Sequence, residues 1–135
     1  MTLIDPQTSP APTAEWMPVC ALTALEVERG RAALLDGEQL ALFLLPDGRV
    51  HAVQNLDPYS GAQVLSRGIV GTRQGAPTVA SPMYKQVFDL RTGACLDAGG
   101  KEPRALRVWP TAVRDGVVFV RRAQPSSAGS RSGRT

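Results

Sequence analysis

The sequence predicts an all-β domain on three observations: turn dipeptides recur at short intervals, short aliphatic and β-branched runs lie between them, and no segment sustains a helical repeat. The turn dipeptides are Asp36-Gly37, Asp47-Gly48, Thr92-Gly93 and Asp115-Gly116, and Asp-Gly suits the positive-φ positions of tight hairpins. In chain order, the only helical competitor is 22–29. Leu22, Leu25 and Arg29 follow a 3.6-residue period there until Gly30 stops it after two turns, which predicts a short helix or turn. Strands are then expected at 32–35, 39–45 and 49–54 around the first two turns, at 86–90 before the third, at 105–108, and at 111–114 and 117–121 around the last. Two long irregular segments interrupt them, 55–68 and 71–84. Each carries a proline tetrad, Asp57-Pro58-Tyr59-Ser60 and Ser81-Pro82-Met83-Tyr84, and long loops in a small β domain are often functional.

With 135 residues, 43% hydrophobic and 20% charged, the chain is the size and composition of one ordinary globular domain. Residues 1–14 contain Pro6, Pro10 and Pro12 among small polar residues, and 123–135 hold no large apolar side chain. Both are expected to be disordered, an arm and a tail around a folded unit of 15–122. The net charge of +3 is partly carried by Arg131 and Arg134. Between Glu15 and Arg122 there are 13 basic and 11 acidic residues, too small a surplus to favour nucleic acid. The start lacks a basic stretch followed by an apolar core, and the purest apolar run, Leu40 to Leu45, has six residues. Neither a secretion signal nor a membrane span is expected. Cys20 and Cys95 lie 75 positions apart with no C-x-x-C pair, which suits reduced thiols in a cytoplasmic protein.

The frame around the two loops carries a resemblance. Ala52-Val53 leads into the first loop, Gly61 and 65–68 close it, and Phe88-Asp89-Leu90-Arg91-Thr92-Gly93 follows the second. Over nearly the whole folded unit this resembles a Rieske-type domain, which implies small antiparallel sheets stacked on one another, with the two loops meeting at a cluster site. In that family the first loop reads C-x-H-x-G and the second C-x-x-H, followed by F-D and a T-G turn. Alignment on Gly61 puts Asp57 and Tyr59 at the first pair of ligand positions, and alignment on Phe88-Asp89 puts Ser81 and Tyr84 at the second. A Rieske cluster needs two cysteines and two histidines. The chain has one histidine, His51, and no register supplies a second.

Rieske-like domains without these ligands resemble one group, the small subunits of the cytoplasmic NAD(P)H-dependent assimilatory nitrite reductases. Trp16-Met17-Pro18-Val19-Cys20, Asp57-Pro58-Tyr59 and Ser81-Pro82-Met83-Tyr84-Lys85 look like that group's segments. The resemblance implies a non-redox subunit, with no cofactor, metal or catalytic residue of its own. Its partner is a large subunit carrying FAD, siroheme and an iron-sulfur cluster, and the assembled enzyme reduces nitrite to ammonium. Neither nucleic acid nor membrane is expected as a partner.

Each singled-out residue has a plain and a sharp reading. Tyr59 and Tyr84 are rings large enough to fill the vacated site, or loop-tip anchors that, with Lys85, contact the large subunit. Asp57 and Ser81 start proline turns, where side-chain bonds to local backbone explain them without catalysis. His51 lacks a companion ligand, and Trp16 and Trp109 are expected in the core or at a seam. Arg104, Arg107, Arg114, Arg121 and Arg122 form either an ordinary polar strand face or a stripe for anions. No G-x-S-x-G elbow supports a triad. Gly68-x-x-Gly71 lacks the Lys-Ser or Lys-Thr of a phosphate loop and is read as a hairpin bend. Two other functions stay open at this point: a Rieske-type ferredoxin electron carrier, and a stand-alone anion-binding β module.

Overall fold

The computed structural model describes residues 15–122; the expected arm at 1–14 and tail at 123–135 lie outside the described residues. Eleven strands among them form three antiparallel sheets. The first sheet is ordered β1 (Trp16–Ala21), β11 (Val117–Arg121), β10 (Thr111–Arg114). The second runs β2 (Gly30–Leu35), β3 (Glu38–Leu44), β4 (Val50–Gln54), β9 (Val108–Trp109). The third runs β5 (Ile69–Arg73), β6 (Ala76–Ala80), β7 (Val87–Asp89), β8 (Cys95–Asp97).

The second sheet is the middle layer, which explains the apolar run in β3. Successive side chains of a strand point to opposite faces. Leu40 and Leu42 enter one core with Val50, Ala52, Trp109, Val118 and Val120, against the first sheet. Ala41 and Phe43 enter the other with Val53, Leu65, Val79, Phe88 and Leu90, against the third. A strand covered on both faces needs no polar alternation. Two of the three Asp-Gly hairpins have both turn residues at positive φ, 53° and 78° at Asp36 and Gly37 and 54° and 76° at Asp115 and Gly116, while at Asp47-Gly48 only the glycine does, at 86°.

Several expectations are corrected. The 3.6-residue pattern at 22–29 yields one 3-10 turn, Leu22–Ala24, and no α-helix; the chain then runs on to a bridge between Val27 and Leu44. The strand placed at 105–108 is two residues long and shifted to Val108–Trp109. The irregular segment 71–84 is mostly a hairpin, β5 to β6, so the true second loop is only 81–86. Its bend is at Gln74 and Gly75, both at positive φ, and not at Gly68-x-x-Gly71, since Gly71 lies within β5. Gln-Gly is a weak turn signal beside Asp-Gly, and Pro77 near the start of β6 argued against a strand. Pro77 has no N–H to give the ladder, but its carbonyl accepts from Leu90 N at 2.9 Å.

Candidate functional site

The two loops meet where the middle and third sheets end. The first leaves β4 through Asn55, which is buried. Its side-chain nitrogen donates to Gln39 Oε1 at 2.9 Å and Gln63 O at 3.1 Å, and its Oδ1 accepts from Ser66 N at 2.7 Å. One amide thus ties both ends of the loop to the sheet. Asp57 follows, fully buried. Its Oδ1 accepts from Tyr59 N at 2.9 Å, closing the turn over Pro58. Its Oδ2 accepts from the Ser81 hydroxyl at 2.6 Å, across to the second loop. Ser81, equally buried, also accepts from Met83 N at 3.2 Å. A hydroxyl shared with a carboxylate in a dry site makes a charge-assisted bond, stronger than a neutral one. This bond clamps one loop to the other.

The two tyrosines part company. Tyr59 lies inward, its ring centroid 6.3 Å from that of Phe88. Its hydroxyl donates to Glu102 O at 2.7 Å and accepts from Arg104 N at 2.8 Å, and stands 3.6 Å from Cys95 Sγ. The Arg104 guanidinium covers the ring at 5.7 Å and donates to Pro58 O at 3.0 Å. Burial, then the contact with Cys95, pushes the phenol above its usual range, so it remains a protonated donor. Tyr84 is 52% exposed, beside Met83 at 47%. Of the two readings for the rings, site filling does not hold for Tyr84, which is exposed with Lys101 Nζ 5.1 Å from its ring centroid. Lys85 is exposed at φ 67°, its N–H donating to Ser81 O. Tyr59→Phe is expected to cost about 0.5–1.5 kcal/mol for the lost hydrogen bonds, and Tyr59→Ala about 2–4 kcal/mol as the ring contact with Phe88 also goes. Urea unfolding of the two variants separates the hydroxyl from the ring.

Sequence reasoning missed Asn55 and 101–103, and it read Arg104 only as part of an arginine stripe, not as a partner of Tyr59. Asn55 read as a loop start, and 101–104 carries no pattern linking it to Tyr59. The arginine stripe is dispersed: Arg107 stacks on Trp109 at 4.5 Å and pairs with Glu38, Arg121 pairs with Glu15, and Arg122 with Asp36. Those pairings remove the continuous cationic face that the anion-binding alternative required.

His51 on β4 borders an open groove of about 700 Å³ with Arg49, Arg91 and Trp109. Burial first, opposed by Asp47 and reinforced by Arg49, holds His51 below its ordinary 6.5. The unfolded chain then binds this proton more readily, so stability falls as pH drops below about 6.5. Asp89 acts in the same direction at lower pH: the Arg91 side chain holds it below its ordinary 3.8, and its contribution is present above that value and lost as pH falls below it. Stability is expected to decline in two acid steps. His51→Gln should erase the step that begins below about pH 6.5 and leave the one that begins below about pH 3.8, checked by urea midpoints from neutral pH down through both.

The family description "Rieske-like [2Fe-2S] domain" matches residues 15–121. The E. coli K12 nitrite reductase (NADH) small subunit is 37% identical over 109 residues, 80% of this chain and 98% of that one. The chain belongs to the nitrite reductase small-subunit group of the Rieske-like family. A crystal structure described as an NADH-dependent nitrite reductase small subunit from Mycobacterium tuberculosis is 48% identical, with a TM-score of 0.74 over 81% of this chain and 96% of that one. The Klebsiella oxytoca nitrite reductase NAD(P)H large subunit is 43% identical over 109 residues, 81% of this chain, which spans only 11% of that protein's length.

The cluster in the family's description does not fit the residues of this small subunit. Asp57 and Ser81 spend their oxygens on each other, Tyr84 faces outward and Tyr59 is held by backbone. Cys20 on β1 and Cys95 on β8 are free thiols in different sheets, and burial pushes that of Cys20 up. Among the described residues no three His, Cys, Asp or Glu side chains gather as a metal site, and no helix is long and apolar enough to cross a membrane.

Proposed function

We propose that this chain is a non-redox small subunit of a cytoplasmic NAD(P)H-dependent assimilatory nitrite reductase, docked on a large subunit that carries FAD, siroheme and an iron-sulfur cluster. The assembled enzyme reduces nitrite to ammonium, and this chain supplies shape to it. The observation that carries the reading is the Ser81–Asp57 bond, which joins the loops by protein atoms at positions aligned with cluster ligands. The partner follows from the relatives. One is a separate small subunit of nearly the same extent, and another holds a similar stretch within a large-subunit chain. Asp57, Tyr59, Ser81 and Tyr84 occupy vacated ligand positions on this reading, and the tip bearing Tyr59, Tyr84 and Lys85 faces the large subunit.

The test is to purify a tagged copy, expressed with the siroheme reductase of its own cell, under anaerobic conditions. Expected results are co-purification of the large subunit, loss of nitrite-dependent growth on deletion of this chain, and a colourless small subunit without iron or sulfide. Bound iron with sulfide would overturn the non-redox role. Absence of association together with unimpaired growth would overturn the subunit role.

A further inference from the structure

Resting on the small-subunit reading, we propose that Met83, Tyr84, Lys85, Lys101 and Arg104 form one docking face, built for an acidic surface of the large subunit around an apolar centre. The first support is the distribution of ion pairs. Of the 13 basic residues from 15 to 122, seven arginines lie within 4.0 Å of a carboxylate. Among the described residues the six without such a pair are Arg31, Arg67, Lys85, Lys101, Arg104 and Arg114, and three of these stand on the two segments that close the loop site. Glu102 lies among them, yet it neutralises none at ion-pair distance.

The second support is the apolar centre. Met83 and Tyr84 are 47% and 52% exposed, and Lys101 Nζ lies 5.1 Å from the Tyr84 ring centroid. Exposed aromatic, Met and Arg side chains are the types enriched where protein interfaces are buried. Third, the face is held in shape before any partner arrives. The Arg104 side chain is pinned on the Tyr59 ring and Pro58 O, the backbone that carries Lys85 is fixed by its bond to Ser81, and Tyr59, Lys101, Glu102 and Arg104 border a cleft of about 140 Å³. Preorganised side chains lose less entropy on binding. Tyr59 is thereby a positioning residue behind the face, and the cations repel one another until opposite charge is brought to them.

The test measures binding of the tagged small subunit to its large subunit at low and moderate salt. Lys85→Glu with Lys101→Glu is expected to weaken binding at least about tenfold at low salt. Tyr84→Ala should weaken it to a similar extent while leaving the salt dependence of the remaining binding in place. Arg31→Glu with Arg114→Glu makes the same change in net charge on other sheets and should leave affinity within about twofold. The proposal is overturned if the tip pair binds like wild type, if the control pair weakens binding equally, or if wild-type affinity is flat in salt. That last measurement needs no variant to fold. A complex that forms normally with either tip variant leaves the subunit reading standing and removes only this face, whereas a wild type that never binds removes both.

Discussion

Gly93→Ala is expected to destabilise the fold by about 2–5 kcal/mol, combining the left-handed backbone cost with overpacking. Gly93 has φ 80°, and a methyl group there would meet the backbone oxygen of Leu106 at 2.1 Å. That neighbour cannot swing away as a side chain would, because Leu106 N donates to Gly93 O at 2.8 Å and its side chain is buried in the core between the middle and third sheets. Relief must come from moving the 101–106 segment, which carries both hydrogen-bond partners of the Tyr59 hydroxyl. Gly116→Ala provides the contrast. Its φ is 76° but nothing lies within 4 Å of the added carbon, so only the conformational part, about 1–2 kcal/mol, should appear. Urea denaturation of the pair measures both, and equal losses would mean that the contact with Leu106 carries no weight.

Ser81→Ala is expected to cost about 1.5–3 kcal/mol, the range for a hydrogen bond to a charged group. Asp57 keeps only the Tyr59 N–H on its side chain after the change, and Met83 N loses its acceptor. Asp57→Ala strands the Ser81 hydroxyl and the Tyr59 N–H together and should cost at least as much. The double variant should cost clearly less than the sum, because the two side chains are one interaction. Additive losses in such a double-mutant cycle would show that the inter-loop bond does not couple the loops.

The all-β class was legible because its signals are local, whereas the stacking of sheets was implied by the Rieske resemblance. Asp36-Gly37 and Asp115-Gly116 dictate hairpins from two residues alone, and the run through Leu40 to Leu45 reads as a strand, whose cover on both faces is seen only in the structure. The β5–β6 hairpin was not legible, since Gln74-Gly75 and Pro77 give weak or contrary signals and the strands are set by pairing with β7. At the loops, the resemblance aligned Asp57, Tyr59, Ser81 and Tyr84 with the ligand positions of one site. It could not say that the acid and the hydroxyl would face each other while the two rings faced opposite ways. That outcome depends on 101–104, forty residues along the chain, whose Glu102 carbonyl and Arg104 amide capture one tyrosine and leave the other in water.

The tie between Asp57 and Ser81 is made of atoms that arrive with the polypeptide itself. That tie between the loops therefore needs no inserted group to hold it. A chelator or a spell of iron starvation finds nothing in that tie to strip out.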